Sequence, residues 1–361
     1  MSYANKLSVA VLPGDGIGTE VTSATLAVLE PLARRHGLGL DLATLPAGAF
    51  HYRDTGTALP DETFERARAA DAILLGAMGW PGIRYLDGRE IAPQIELRMR
   101  LGLYAGVRPI RAIPGVPLPL SDPRARDIDL VIVRESTEGL FHSRDAGVVT
   151  HDAAEETLRI TRSTTEQLAR FSFGLARRRA RPSGGVTLVD KANVFRAFAF
   201  MREIFAEEAG RNQEVRFATQ YVDAMALDLV RRPWDYDVLP TENMFGDILS
   251  DLAAGLVGGM GFAPSADIGE NHAVFQPSHG TAPDIAGRGL ANPTAMILSA
   301  AMMLDWLAER GAGEAWAGAA SELVRGVDAV FASGLRTPDI GGRASTAEVV
   351  RAVRDAIDVS S

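Results

Sequence analysis

The 361-residue chain has no cysteine, only two lysines (Lys6 and Lys191) among its 37 basic residues, and 7% aromatic residues. Without cysteine there is no disulfide, no thiolate nucleophile and no Cys-ligated zinc, which fits a reducing cytoplasm as the expected location. Long apolar runs are also missing. Four apolar residues precede Pro13-Gly14, too few for a signal-peptide core, and the run AMILSAAMML is stopped by Asp305, so no membrane span is expected. A net charge of -9 with no extended basic stretch argues against nucleic acid and anionic membranes, which need clustered Lys and Arg. A small-molecule partner is expected instead.

The scarcity of lysine gives Lys191 weight. The chain uses arginine wherever positive charge alone will serve, and an ammonium differs in that it can lose its proton near neutral pH. The bland alternative is an ordinary surface charge.

What is present is a regular alternation. Apolar, β-branched runs at 8–12, 72–76, 128–133, 186–189, 215–222 and 236–240 read as strands. Helical patterns cover 17–36, 61–70, 155–180, 192–210, 223–231, 246–256, 293–310 and 346–358, with Pro/Gly-rich breaks at 106–123, 181–185 and 257–264. This predicts an α/β protein with a largely buried sheet, and 47% hydrophobic content suffices for its core.

Several stretches carry chemistry. Leu12-Pro13-Gly14-Asp15-Gly16-Ile17-Gly18 joins a strand to a helix, where a glycine loop admits either a ligand or a tight structural turn. Its G-x-G-x-G spacing is not the dinucleotide fingerprint. In ENMFGDILSDLAAG, Asp247 and Asp251 lie four apart on a helical pattern, so both carboxylates reach one cation, Mg²⁺ or Mn²⁺ by oxygen preference. The apolar neighbours Phe245, Ile248, Leu249 and Leu252 suggest little solvated surface there, where unscreened acids would repel. Asp223, at the end of a predicted strand, is a candidate third ligand and part of the catalytic set. Lys191 in VDKANVF also follows a strand and is the candidate base for a metal-bound hydroxyl. Arg98, Arg108 and Arg134 are candidate forks for a dicarboxylate. The loop HGTAPDIAGRGLANP offers His279, Gly280, Ala282, Asp284, Ile285 and Asn292 around an adenosine-like ligand.

Together these stretches resemble the β-decarboxylating dehydrogenases, the family of isocitrate, 3-isopropylmalate, homoisocitrate, D-malate and tartrate dehydrogenases. The resemblance runs from Leu12 to Met303 and rests on LPGDGIG, LR with LYAGVRP, VRESTEG, DKANVF, DAMALDL, ENMFGDILSD and HGTAPDIAG with ANP, in the family's order. It implies the two-domain isopropylmalate/isocitrate dehydrogenase fold and not a Rossmann fold. The first, cofactor-side domain would comprise 1–100 and 254–361, and the second, dimerisation and metal/substrate domain 101–253. It further implies a homodimer with shared active sites and an NAD-dependent oxidoreductase. Arg98, Arg108 and Arg134 would hold the substrate's carboxylates, with Gln94 and Ile95 facing its C3 substituent. Asp247 and Asp251 would bind Mg²⁺ or Mn²⁺ with a partner's Asp223, and a partner's Lys191 would act as base. The reaction is oxidative decarboxylation of a 3-substituted (2R)-malate, 3-isopropylmalate-like or alternatively tartrate/D-malate. The aspartate at 284 favours NAD, because NADP-dependent isocitrate members carry lysine and tyrosine at the positions of Asp284-Ile285.

Three features depart from the family. Phe141 stands where the family has the tyrosine that protonates the enol, and Gln276 where many relatives have glutamate. Ile91, Gln94 and Ile95 match neither the fully aliphatic lining suited to isopropyl nor the Ser/Asn pair of isocitrate enzymes. Phe141 and Gln276 motivate one alternative of another class, a non-catalytic regulatory paralogue that keeps the ligand site.

Overall fold

Ala-Ile-Leu-Leu at 72–75 has no polar position, which suits a strand covered on both faces, and all four side chains are buried. The computed structural model, which describes residues 6–182 and 184–359, places this run inside a ten-stranded sheet. The first five strands are β1 (Leu7–Leu12), β2 (Leu40–Thr44), β3 (Ala72–Leu75), β4 (Ala105–Arg111) and β5 (Asp129–Glu135). A separate hairpin, β6 (Val148–Val149) with β7 (Ala154–Glu155), is followed by β8 (Val186–Asp190), β9 (Phe217–Tyr221), β10 (Val238–Thr241), β11 (Pro264–Ile268) and β12 (Ala273–Pro277). The helices of the first half are α1 (Ile17–Arg35), α2 (Ala49–Thr55), α3 (Asp61–Ala69), α4 (Pro93–Arg100) and α5 (Arg162–Arg179). The remainder are α6 (Arg196–Arg211), α7 (Val222–Arg231), α8 (Asn243–Gly255), α9 (Thr294–Leu307), α10 (Glu314–Ala332) and α11 (Thr346–Val359).

The sheet order is β2-β1-β3-β12-β11-β4-β5-β10-β8-β9. Strands β2, β1, β3 and β12 are mutually parallel, and so are β5, β10, β8 and β9. Between these halves, β11 and β4 run antiparallel to both of their neighbours. A Rossmann sheet is wholly parallel with a different order, so this is another α/β fold, as expected. Period-two alternation divides the core. Val131 and Val133 face the large cluster with α1, α5, α9, α10 and α11, while Leu130 and Ile132 face the opposite cluster with α7 and α8.

Several elements differ from the sequence reading. The break at 106–123 contains most of β4, and Pro109 fits there because β11 pairs only with 105–107, leaving that edge of Pro109 without a ladder partner. Helix α10 runs unbroken although Gly318 and Gly326 weaken its helical pattern in the sequence. At Gly326 a Cβ would lie 2.5 Å from Cγ2 of Ile357, so the glycine weakens the local signal in order to let α10 and α11 touch. Helix α5 begins at Arg162 instead of 155, capped by the Thr161 side chain. Helix α6 begins at Arg196 because the amides of Val194 and Phe195 both turn back to the Lys191 carbonyl at 3.1 Å. Helix α8 starts three residues early, since Glu242 accepts from the amides of Met244 at 3.1 Å and Phe245 at 3.4 Å.

The glycine loop before α1 is a structural clasp. Asp15 is wholly buried and accepts from the amides of Ala49 at 2.7 Å, Phe50 at 2.9 Å and Gly79 at 2.9 Å. It thereby fixes the start of α2 and the turn after β3. The Ile17 amide donates to the Thr281 carbonyl at 3.0 Å, tying the loop to the segment after β12. Replacing Asp15 with alanine leaves three buried amides unpaired, and the expected loss in urea unfolding is about 3 kcal/mol. A loss below about 1 kcal/mol would contradict the clasp.

Candidate active site

In the register of the central strands, Gly106 stands opposite Arg134 on one side and Asp267 on the other. The row has no side chain at its centre. A Cβ at Gly106 would lie 3.1 Å from Asp267 Oδ1 and 2.6 Å from Ser136 Oγ, so the glycine is what leaves room there. At Gly246 a Cβ would lie 2.6 Å from the Arg134 Cβ, so that glycine lets α8 lie down on the arginine.

Three arginines meet at this row, each 6–7% exposed. Arg98 on α4 donates through Nη2 to Asp267 Oδ2 at 3.1 Å, and Arg108 on β4 through Nη2 to Asp267 Oδ1 at 3.5 Å. Gln276 Nε2 completes Asp267 at 2.7 Å. A glutamate at 276 would set a second carboxylate against Asp267, so glutamine is the compatible residue here. Arg134 turns toward α8, donating from Nε and Nη2 to Asn243 Oδ1 at 3.0 and 2.7 Å and from Nη1 to Asp247. Burial and the neighbouring Arg98 push Arg134 down to about 10, and burial also lowers Arg108. Burial would raise the Asp267 carboxyl, but the three arginines outweigh it and hold it below its usual range. Among the described residues the Nε of Arg98 is buried without a partner.

Helix α8 sends Leu249 and Ala253 into the core and presents Asp247 and Asp251 outward. The pair is therefore not enclosed by apolar side chains as the sequence suggested: both acids are exposed, and Ile248 between them is 62% exposed. Burial of its inner edge and the charge of Asp247 raise the Asp251 carboxyl. Beside Asp247 opens a cavity of about 370 Å³ lined by Arg134, Leu140, Phe141, Arg144, Glu156, Asn243, Met244 and Asp247. Phe141 enters it from the short 3-10 turn Leu140–Ser143, at the base of the arm that carries β6 and β7. A larger cleft of about 940 Å³ around 112–126 holds none of these groups.

Lys191 follows β8 and donates from Nζ to Asp223 Oδ1 at 2.5 Å, and this bond draws the Asp223 carboxyl below its usual range. Asp223 sits in the first turn of α7. Further along that helix Asp228 accepts from Arg232 Nη2 at 2.8 Å, Tyr236 Oη at 2.5 Å and Gln220 Nε2 at 3.0 Å, which pins α7 to β9 and to the turn beyond. Among the described residues no three acids or histidines form a metal-sized group, so Asp223 is not brought to Asp247 and Asp251 within one chain. The chain presents two partial sites: an arginine pocket with an acid pair, and a lysine-aspartate pair.

The segment 278–293 lies against the start of α1, where Glu20 accepts from the amides of Gly287 and Gly289. His279 Nδ1 lies 2.9 Å from the Gly280 carbonyl oxygen. Its Nε2 is buried without a partner among the described residues, and burial lowers the pKa of the ring. Gly280 and Asp284 are exposed, Ile285 is half-buried, and Ala282 takes a left-handed conformation at φ 37°.

A model of the family described as isocitrate/isopropylmalate dehydrogenase matches residues 8–353. The chain belongs to the isocitrate/isopropylmalate dehydrogenase family. Among its relatives, the 3-isopropylmalate/3-methylmalate dehydrogenase of Methanocaldococcus jannaschii is 41% identical, over 96% of this chain and 97% of the relative. The 3-isopropylmalate dehydrogenase of Archaeoglobus fulgidus is also 41% identical, over 97% and 99%. Among solved structures, the isocitrate dehydrogenase of Methylococcus capsulatus superposes with a TM-score of 0.84 at 37% identity, covering 97% of this chain and 99% of that one. The apo β-decarboxylating dehydrogenase of Thermococcus kodakarensis gives 0.78 at 37% identity, covering 98% and 96%.

As a member of this family the chain is a decarboxylating dehydrogenase by class, an oxidoreductase. Two sequence-predicted positions also serve the fold. Asn292 lies two residues before α9, accepting from the Thr294 amide at 3.1 Å and donating to Asp339 at 3.0 Å. Ile91 is fully buried with Ala49 and Ala58 in a small core of its own, leaving Gln94 and Ile95, half-buried on α4, as the outer positions. Asp267 and Asn243, which orient the arginines, were missed. The signal for Asp267 is an acid inside the short apolar strand PSADI, hidden by reading 257–264 as a break.

Asp228 gives this family member a pH-dependent anchor for Asp223. Its hydrogen bond from Arg232 holds the carboxyl down at about 2, while burial and Asp228 push Tyr236 up to about 12. A depressed carboxyl stabilises the folded chain above its ordinary pKa near 4 and loses that contribution as pH falls through the folded value. The stability gap between wild type and Asp228→Asn should therefore be full at pH 6 and shrink toward pH 2 in denaturant titrations. A gap independent of pH would contradict the assignment.

Proposed function

We propose that this enzyme oxidises and decarboxylates a 3-substituted (2R)-malate with NAD and Mg²⁺ or Mn²⁺. The observation that carries the reading is the surplus of buried positive charge: three buried guanidiniums stand around one buried acid, which bonds only two of them, and Arg98 Nε has no partner. Such a pocket calls for a dianion, and the repelling pair Asp247/Asp251 beside it calls for a cation. Hard carboxylate oxygens fit Mg²⁺ or Mn²⁺. The orphaned Nε2 of His279 and the exposed carboxylate of Asp284, five residues on in the same segment, fit NAD, since that acid would repel a 2′-phosphate.

Bound NAD would take the C2 hydride, and a bound cation would polarise the C2 oxygen. Arg98, Arg108 and Arg134 would hold the two carboxylates and fix C3 over the cavity beside Phe141. Asp247 and Asp251 would hold the cation together with Asp223 of the partner subunit, and Lys191 of the partner subunit would take the C2 hydroxyl proton. A homodimer with shared sites is supported by the apolar residues exposed around these groups: Val194, Phe195, Leu227, Val230, Met244 and Ile248. Residues 1–100 with 254–361 would form the cofactor-side domain and 101–253 the dimerisation and metal domain, divided where β4 meets β11.

The relatives named for isopropylmalate and methylmalate support an aliphatic substituent on C3. A tartrate- or D-malate-type substrate is the second reading, and of the two the buried, unpartnered Oε1 of Gln94 favours tartrate, whose C3 hydroxyl it would accept from. Purified protein with Mn²⁺ should reduce NAD, and not NADP, with at least one acid of a panel holding 3-isopropylmalate, 3-methylmalate, D-malate and tartrate. No reduction with any acid would overturn the reading. In a second assay Mn²⁺ should raise the melting temperature of the wild type and not that of Asp251→Asn. An equal shift in both would remove Asp251 from the metal site.

A further inference from the structure

The face of the sheet turned away from the arginines carries a second cleft, of about 560 Å³, between α5 and α9. Its floor is the reverse side of the same strands. Val107 and Ala266 adjoin Arg108 and Asp267 in sequence, and period two sends the neighbours to opposite faces. Helix α5 lies over β5 and β10 and α9 over β11 and β12, and the cleft is what they leave open between them. Tyr104, Pro109, Phe171, Leu175, Met302 and Trp306 line it, and each is only half-buried, so apolar burial is left unfinished in one place. Two edge-on aromatic pairs flank the space: Tyr104 with Phe171, their centroids 6.4 Å apart, and Phe275 with Trp306 at 5.9 Å. The volume falls within the range of small-molecule sites, about 300 to 1,000 Å³.

The arginines of this cleft are occupied. Arg178 Nε pairs with Glu309 Oε1 at 3.0 Å, and Arg179 pairs with Asp129 at 3.0 Å and Asp237 at 2.7 Å. Arg310 lies over the Trp306 ring at 4.6 Å and donates to the Glu270 carbonyl at 3.1 Å. Two carboxylates are not occupied. Glu270, exposed between β11 and β12, and Asp305, on α9 between Met302 and Trp306, have no side-chain hydrogen bond or ion pair among the described residues. Burial among the walls of the cleft and the nearby Glu309 raise Asp305 to about 6, so at neutral pH it is a carboxylate without a counter-charge.

We propose that this cleft is a second ligand site, for an organic cation with an apolar body: the ammonium pairs with Asp305, and the body fills the space between the two aromatic pairs. The occupant is an amine and not an acid, because the charges the cleft leaves unanswered are carboxylates. Its chemistry is opposite in sign to that of the arginine pocket, and the thickness of one sheet separates the two sites.

The probe is 4-phenylbutylammonium, titrated into the full-length protein in phosphate buffer at about pH 7.5 and followed by saturation-transfer NMR. Its neutral and anionic counterparts are 4-phenylbutanol and 4-phenylbutanoate. The probe should bind saturably with a Kd of about 1 mM or below. Asp305→Asn should weaken it about ten-fold, and the alcohol and the acid should bind the wild type at least that much more weakly than the probe does. Leu175→Trp, which fills the cleft from the opposite wall, should abolish binding. Asp305 is exposed and unpaired, so Asp305→Asn should melt no lower than the wild type. Saturating Mn²⁺ should leave the affinity unchanged, because Asp247 and Asp251 lie on the other face of the sheet. The proposal is overturned by an affinity of Asp305→Asn within about two-fold of wild type, by an acid that binds as tightly as the ammonium, or by displacement of the probe by Mn²⁺. It is equally overturned if nothing saturates up to about 20 mM. These readouts need no turnover, so their failure leaves the functional reading untouched.

Discussion

The constraint on which the site depends is the convergence of Arg98, Arg108 and Arg134 on one buried acid, Asp267. Buried charge is tolerable only when it is paired, and here the pairing is deliberately incomplete. Asp267 pairs with two of the three guanidiniums, while Asn243 orients the third and only the exposed Asp247 pairs with it. What remains is a fixed, water-poor field of positive sign aimed at one spot. Two glycines, 106 and 246, permit this crowding, because any side chain there would push the strands and α8 apart. The sheet and the helix layer therefore serve chiefly to press like charges together and hold them so.

The opposite sign is arranged next to it. Asp247 and Asp251 lie on the outward edge of α8, close enough to raise the carboxyl of Asp251, while Arg134 leans on Asp247 from within. The proposed ligands complement each part: an anion for the arginines, a cation for the acids. Lys191 and Asp223 satisfy each other on a different helix and strand end, and the apolar residues exposed around them mark a surface that one chain leaves uncovered.

Much of this was legible in the sequence because the acids, the lysine and the glycine loops are local signals. Asp247 and Asp251 declare themselves by helical spacing, and Lys191 by standing almost alone among the basic residues. The apolar environment inferred for the acid pair was wrong, since sequence neighbours on a helix point to different sides and Ile248 faces outward with them. The strands β11 and β12 were invisible because SADI and AVFQ are short and flank glycine-rich segments, and with them went Asp267 and the meaning of Gln276. The GDG loop could be read as either a ligand cradle or a turn. The three amides on Asp15 show it to be a turn that clamps other turns.

Strands β11 and β4 share three register pairs, against seven between β4 and β5. This is the narrowest ladder joining the two parallel halves, and the ion pair of Arg108 with Asp267 crosses it. The direction of the strands changes along this line, so the binding charges meet where the two parallel halves of the sheet are joined. An anion held by those arginines would sit across the seam between the halves, and the pocket is thereby shared by the two parts of the sheet.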